Sequence, residues 1–71
     1  MRKRTNPDQK LNRIWEVLQE KEKTQAWLAG QLDIEFRTVN RYVNNHRQPN
    51  LRTLFEIARI LKINPKELLN S

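Results

Sequence analysis

The chain has 71 residues and not one cysteine. A domain this short buries too little surface to fold comfortably unaided, and small natural domains recruit disulfides, a metal, a partner subunit or closely packed helices. Without cysteine there is no disulfide framework, no thiolate metal site and no cysteine nucleophile. The single histidine, His46, cannot build a metal site alone, and no cofactor is expected. A partner subunit or closely packed helices remain, around one core with no room for two domains. The composition fits a reducing compartment, so a cytoplasmic location is expected. No run approaches the roughly 20 apolar residues that a membrane span requires, and no signal-peptide core follows Met1-Arg2-Lys3-Arg4.

The punctuation of the sequence is helical. Asn6-Pro7-Asp8-Gln9 combines a capping side chain, a helix-starting proline and an acid near the positive end, which predicts a first helix from about Pro7 to Glu22. Leu11, Ile14, Trp15, Val17 and Leu18 then follow the i, i+3, i+4, i+7 spacing of one buried face. Thr24 is placed to cap a second helix over residues 25–32, with Leu28, Ala29 and Leu32 inward. Asp33-Ile34 breaks that run, and a third helix opens near Glu35 and reaches Val43, burying Val39 and Tyr42. After the polar turn Asn44-Asn45-His46-Arg47-Gln48-Pro49, Asn50 caps a fourth helix from Leu51 to Leu61 with Leu54, Ile57, Ala58 and Leu61 as its inner stripe. Asn64-Pro65-Lys66-Glu67 repeats the cap-and-proline start for a short fifth helix. No segment alternates with period two, so strands are not expected. The prediction is an all-α, compact five-helix bundle over residues 6–71, preceded by a flexible basic arm over residues 1–5.

Fourteen Lys and Arg against eight Asp and Glu give a net charge of +6 and a pI near 10.3, which calls for a polyanionic partner. The distribution is sharper than the total. No acid lies between Glu35 and Glu56, whereas Arg37, Arg41, Arg47 and Arg52 all do, interleaved with Asn, Thr and Gln. On the third helix Arg37, Asn40, Arg41 and Asn44 share the face opposite Val39 and Tyr42. Arginine offers a planar fork to guanine O6 and N7, and asparagine pairs a donor and an acceptor with adenine. The first helix, by contrast, mixes Lys with Glu as an ordinary solvated surface does.

Residues 24–29 (Thr24-Gln25-Ala26-Trp27-Leu28-Ala29), Ile34, Val39-Asn40-Arg41-Tyr42, Gln48-Pro49-Asn50-Leu51 and the stripe Leu54, Ile57, Ala58, Leu61 together resemble the lambda-repressor-like, Xre-family helix-turn-helix domain. The resemblance runs without gaps over about residues 10 to 69. It implies that helices two and three form the DNA-binding unit, with Ala29 at their crossing and Leu28, Leu32, Ile34 and Val39 closing the turn from inside. It also implies that Phe36, Arg37, Asn40 and Arg41 contact bases, and that Gln25, Thr38, Asn44 and Arg47 contact phosphates. Three positions depart from the family pattern. Glu35 stands where Ser or Thr usually caps the third helix, and Asp33 and Asn45 stand at turns that usually carry Gly. The only glycine, Gly30, falls inside the second helix. Phe36 has two readings, a contact with a thymine methyl or a ring folded back on the bundle. Trp27 packs on Leu18 or Trp15, or else stands exposed.

These residues point to a sequence-specific double-stranded DNA-binding regulator, of repressor type, that binds half-sites as a homodimer. The alternative is an antitoxin-like interaction module that docks a partner protein through Trp15, Leu18 and Trp27. RNA binding calls for exposed stacking aromatics, and only Phe36 qualifies. An enzyme is not expected, because the acids are scattered and the sole serine is Ser71. No small-molecule ligand is evident.

Overall fold

The computed structural model describes residues 11–70. They form α1 (Ile14–Glu20), α2 (Gln25–Leu32), α3 (Phe36–Val43), α4 (Leu51–Leu61) and a single 3-10 turn, Pro65–Leu68. Four α-helices and one tight turn therefore replace the expected five helices. Asn64 and Glu67 do form a reciprocal capping box there, but over four residues it closes only one turn. The basic arm over residues 1–5 and the Asn6-Pro7 helix start lie outside the described residues.

The first helix is shorter than its periodicity suggests. Leu11 and Asn12 are not helical: Asn12 bridges Leu69 in antiparallel fashion, Arg13 N–H donates to Leu68 O at 2.7 Å, and Asn70 N–H donates to Leu11 O at 3.1 Å. Asn12 Oδ1 accepts from Ile14 N–H at 3.1 Å and so satisfies the first donor of α1, whose N-cap position, Arg13, makes no side-chain cap bond. Leu11 and Trp15 are consequently about half exposed, not buried, and the inner face of α1 is Ile14, Val17 and Leu18. With Leu28, Ala29, Val39, Tyr42, Val43, Leu54, Ile57, Ala58, Leu61 and Leu68 these make one continuous core. Leu32 and Ile34 pack against its edge.

Every α-helix ends in the same way. Glu22, Asp33, Asn45 and Lys62 all have φ between 57° and 61°, the left-handed region that usually calls for glycine. In each case the next residue's N–H reaches back to the helix: Lys23 to Leu18 O, Ile34 to Ala29 O, His46 to Arg41 O and Ile63 to Ala58 O, at 2.9 to 3.1 Å. These are Schellman closures, which satisfy carbonyls left over at the helix end. Asp33 and Asn45 were legible as such turns; Glu22 and Lys62 were not.

Trp27 is half-buried against the core and faces Ile60 and Leu61 of α4, with Lys23 Nζ 4.8 Å above its ring. Trp15 instead borders Val43 and Asn44. Leu18 is 1% exposed. The three do not share one surface, so the expected docking patch of Trp15, Leu18 and Trp27 does not exist as a unit.

Gly30 is exposed, has negative φ, and a Cβ placed on it would meet nothing within 4 Å. Neither packing nor backbone conformation calls for glycine there. Gly30→Ala should stabilise the fold by about 0.5–1 kcal/mol, raising the melting temperature by about 2–8 °C in a thermal melt followed by circular dichroism.

Candidate nucleic-acid interface

Two helices position the polar surface. Thr24 caps α2 by accepting from Trp27 N–H at 3.0 Å, which sets Gln25 in the first turn. The Asp33 turn then redirects the chain into α3, where Glu35 takes the capping position but makes no side-chain capping hydrogen bond. Glutamate is a poor cap, and its charge at the positive end of the helix is the favourable contribution that remains. Ala29 is 6% exposed in the α2–α3 contact, where its single methyl lets the helices approach.

On α3, Val39, Tyr42 and Val43 point inward. At about 100° per residue, Phe36, Asn40, Asn44, Arg37 and Arg41 occupy a continuous arc of roughly 140° on the opposite side. Phe36 is 53% exposed, so its ring is not folded into the core. Arg37, Arg41, Asn44 and Arg47 are exposed, and Thr38 and Asn40 are intermediate. Among the described residues the ion pairs are Arg13 with Glu20 and Arg59 with Glu56, neither of them on this surface. Among the described residues no carboxylate pairs with the exposed guanidinium groups of Arg37, Arg41 and Arg47.

The amides on this face are ordered. Asn40 Nδ2 donates to Gln25 Oε1 at 3.0 Å, and Asn44 Nδ2 donates to Asn40 Oδ1 at 3.2 Å. The chain of bonds links the first turn of α2 to the end of α3. It uses the carbonyl of Gln25 and so turns its NH2, a donor, outward; Asn40 keeps one N–H and one lone pair for a further partner.

Behind α3 lies a second polar cluster, which the sequence did not reveal. Asn12 is 2% exposed and donates through Nδ2 to Tyr42 O at 3.0 Å and to Gln48 Oε1 at 2.8 Å. Asn45 Oδ1 accepts from Leu11 N–H at 2.8 Å, Asn12 N–H at 2.9 Å and Gln48 Nε2 at 3.1 Å. This clasp fixes the loop that carries His46 and Arg47 to the segment entering α1. Asn12 reads as an unremarkable polar residue of the first helix, and nothing in its spacing marks it as buried.

The geometry is that of a helix-turn-helix, and the sequence matches the model of the Cro/C1-type helix-turn-helix DNA-binding domain over residues 13–70. The chain belongs to this family. Its lambda-repressor-like resemblance is thereby established over nearly all the described residues. The family domain is also similar to a crystal structure of a Bacteroides fragilis protein described as a candidate DNA-binding protein. The two are 42% identical, with a TM-score of 0.83, over 84% of this chain and 97% of that one. No curated protein matches the chain significantly. No helix among the described residues of this Cro/C1-type domain is long and apolar enough to cross a membrane.

Asn45 separates conformational strain from hydrogen bonding. Lys62→Gly, which only removes a left-handed lysine, should raise stability by up to about 1 kcal/mol. Asn45→Gly relieves the same strain but deletes the clasp, and should cost a net of about 1–2 kcal/mol. Urea denaturation of both variants checks the contrast; equal signs would mean that the clasp contributes little.

Proposed function

We propose that this Cro/C1-type domain is a sequence-specific double-stranded DNA-binding transcriptional regulator that represses by occupying an operator in the cytoplasm. The observation that carries the reading is the outward arc of α3, where Arg37 and Arg41 have no carboxylate partner among the described residues and Asn40 is held in a fixed amide chain. An arginine-rich helix face left unpaired in the free protein is suited to a polyanion that supplies the missing charge.

In this reading α3 enters the major groove. Arg37 and Arg41 present forks to guanine, Asn40 offers its remaining donor and acceptor to adenine, and the exposed ring of Phe36 meets a thymine methyl. Gln25, Thr38, Asn44 and Arg47 hold phosphates on either side and set the register. The outward NH2 of Gln25 is a suitable donor for this, reinforced by the free N–H groups at the start of α2. Phosphate neutralisation supplies affinity and the α3 side chains supply discrimination. One such domain covers little DNA, so useful specificity requires a homodimer on half-sites about 34 Å apart.

Selection of binding sites from random duplex DNA tests the reading directly, and failure to enrich any sequence would overturn it. On the selected site, Arg41→Ala should lose about 1–3 kcal/mol and relax preference at one base position. Uniform weakening on all sequences would remove Arg41 from base reading. Arg47→Ala should weaken every sequence equally and lower the slope of log K against log salt by about 1; an unchanged slope would exclude a phosphate contact.

A further inference from the structure

The ends of α1 and α4 and the start of α2 meet around a concavity of about 250 Å³, lined by Lys21, Lys23, Trp27, Ile60, Leu61 and Lys62. Its apolar part is built into the fold: Leu61 is buried, and Trp27 and Ile60 are half-buried against the core. Its rim carries three exposed lysines and no acid. Among the described residues the ion pairs are Arg13 with Glu20 and Arg59 with Glu56, so no carboxylate there neutralises the three ammonium groups.

Two of these lysines are unfavourable for the fold itself. Lys62 ends α4 at φ 61°, where glycine would relieve the backbone. Lys23 directly precedes the Thr24 cap of α2, at the positive end of that helix, where a cation is disfavoured. Lys21, at the end of α1, does suit its helix dipole. Side chains that cost stability and converge on one concavity point to binding.

We propose that this groove docks an acidic peptide segment of another protein: one bulky apolar side chain enters the concavity, and carboxylates on either side of it pair with Lys21, Lys23 and Lys62. The volume suits a single side-chain anchor and falls below the roughly 300–1,000 Å³ of sites that hold drug-sized ligands. Charge selects against a second copy of this chain, which is itself +6. Duplex phosphates would satisfy the lysines but offer nothing to Trp27 and Ile60. A single-stranded base would need an open indole face for stacking, and Lys23 Nζ already stands 4.8 Å over that ring.

The groove is separate from the proposed DNA-facing surface. Trp27 lies about 160° around α2 from Gln25, and none of the lining residues belongs to the arc of α3. Peptide docking therefore stands or falls independently of DNA reading.

Proton–nitrogen correlation NMR of the whole chain tests the proposal, with titration at low salt by an acetylated peptide in which one phenylalanine is flanked by two glutamates on each side. Shifts should centre on Lys23, Trp27 and Ile60. Serine in place of the peptide's phenylalanine should weaken binding by at least about tenfold, because the buried anchor is lost. K21S/K23S should weaken the original peptide by about tenfold, and Lys62→Gly by about three- to fivefold. Lys62→Gly should at the same time raise the melting temperature, so that binding and stability move in opposite directions. Unchanged peptide affinity in both lysine variants would overturn the groove. Equal affinity for the phenylalanine and serine peptides would do the same by reducing the contact to charge alone. So would shifts centred on Arg37, Arg41 and Arg47, or no saturable shift up to millimolar peptide.

Discussion

The carboxamide oxygen of Asn45 collects three donors, the backbone N–H groups of Leu11 and Asn12 and the side chain of Gln48. The position of α3 depends on this convergence. An eight-residue helix is too short to persist on its own, so its geometry is set by what it touches. Val39, Tyr42 and Val43 anchor its inner face, the Asp33 turn fixes its start, and Asn12, bonded to Tyr42 O, holds its last turn. A helix pinned at both ends can present side chains in one fixed orientation. Such an orientation fits the base-reading role proposed for this helix, because ordering the side chains beforehand reduces the entropy lost on binding.

The elements that follow local rules were legible. Thr24 and Asn50 cap α2 and α4 as their side chains suggest, and the inner stripe of α4 matches its spacing. The left-handed residues Asp33 and Asn45 were foreseen because Asp and Asn tolerate that conformation. Two of the misreadings have non-local causes. Leu11 fits a helical period, but its backbone is claimed by Asn70, 59 positions away in sequence. Asn12 is buried because a loop 33 residues later folds over it, and no local pattern records that. Glu22 and Lys62 look like ordinary charged residues, and their left-handed conformation follows from the Schellman closure rather than from side-chain chemistry.

The candidate interface was legible in part for the same reason. Helical spacing alone puts Arg37, Asn40, Arg41 and Asn44 on one face, and the structure keeps them there. What spacing does not convey is that Gln25, 15 positions before Asn40, belongs to the same hydrogen-bonded unit. A side chain suited to phosphate and one suited to bases are thus mechanically joined, so a shift of α2 relative to α3 moves both. The sole glycine is the opposite case: four helix ends have the backbone geometry that favours glycine, and the chain spends its only one where none is needed.

The bridge between Asn12 and Leu69 has a topological consequence. It brings the two ends of the described segment together, and its Leu11-Asn12 side is also what Asn45 grips. Loop closure over such a distance costs entropy that no single helix recovers, so the bridge forms only when the core does. Loosening either side of the Asn12–Leu69 bridge therefore removes support from the end of α3, which Asn12 and Asn45 hold.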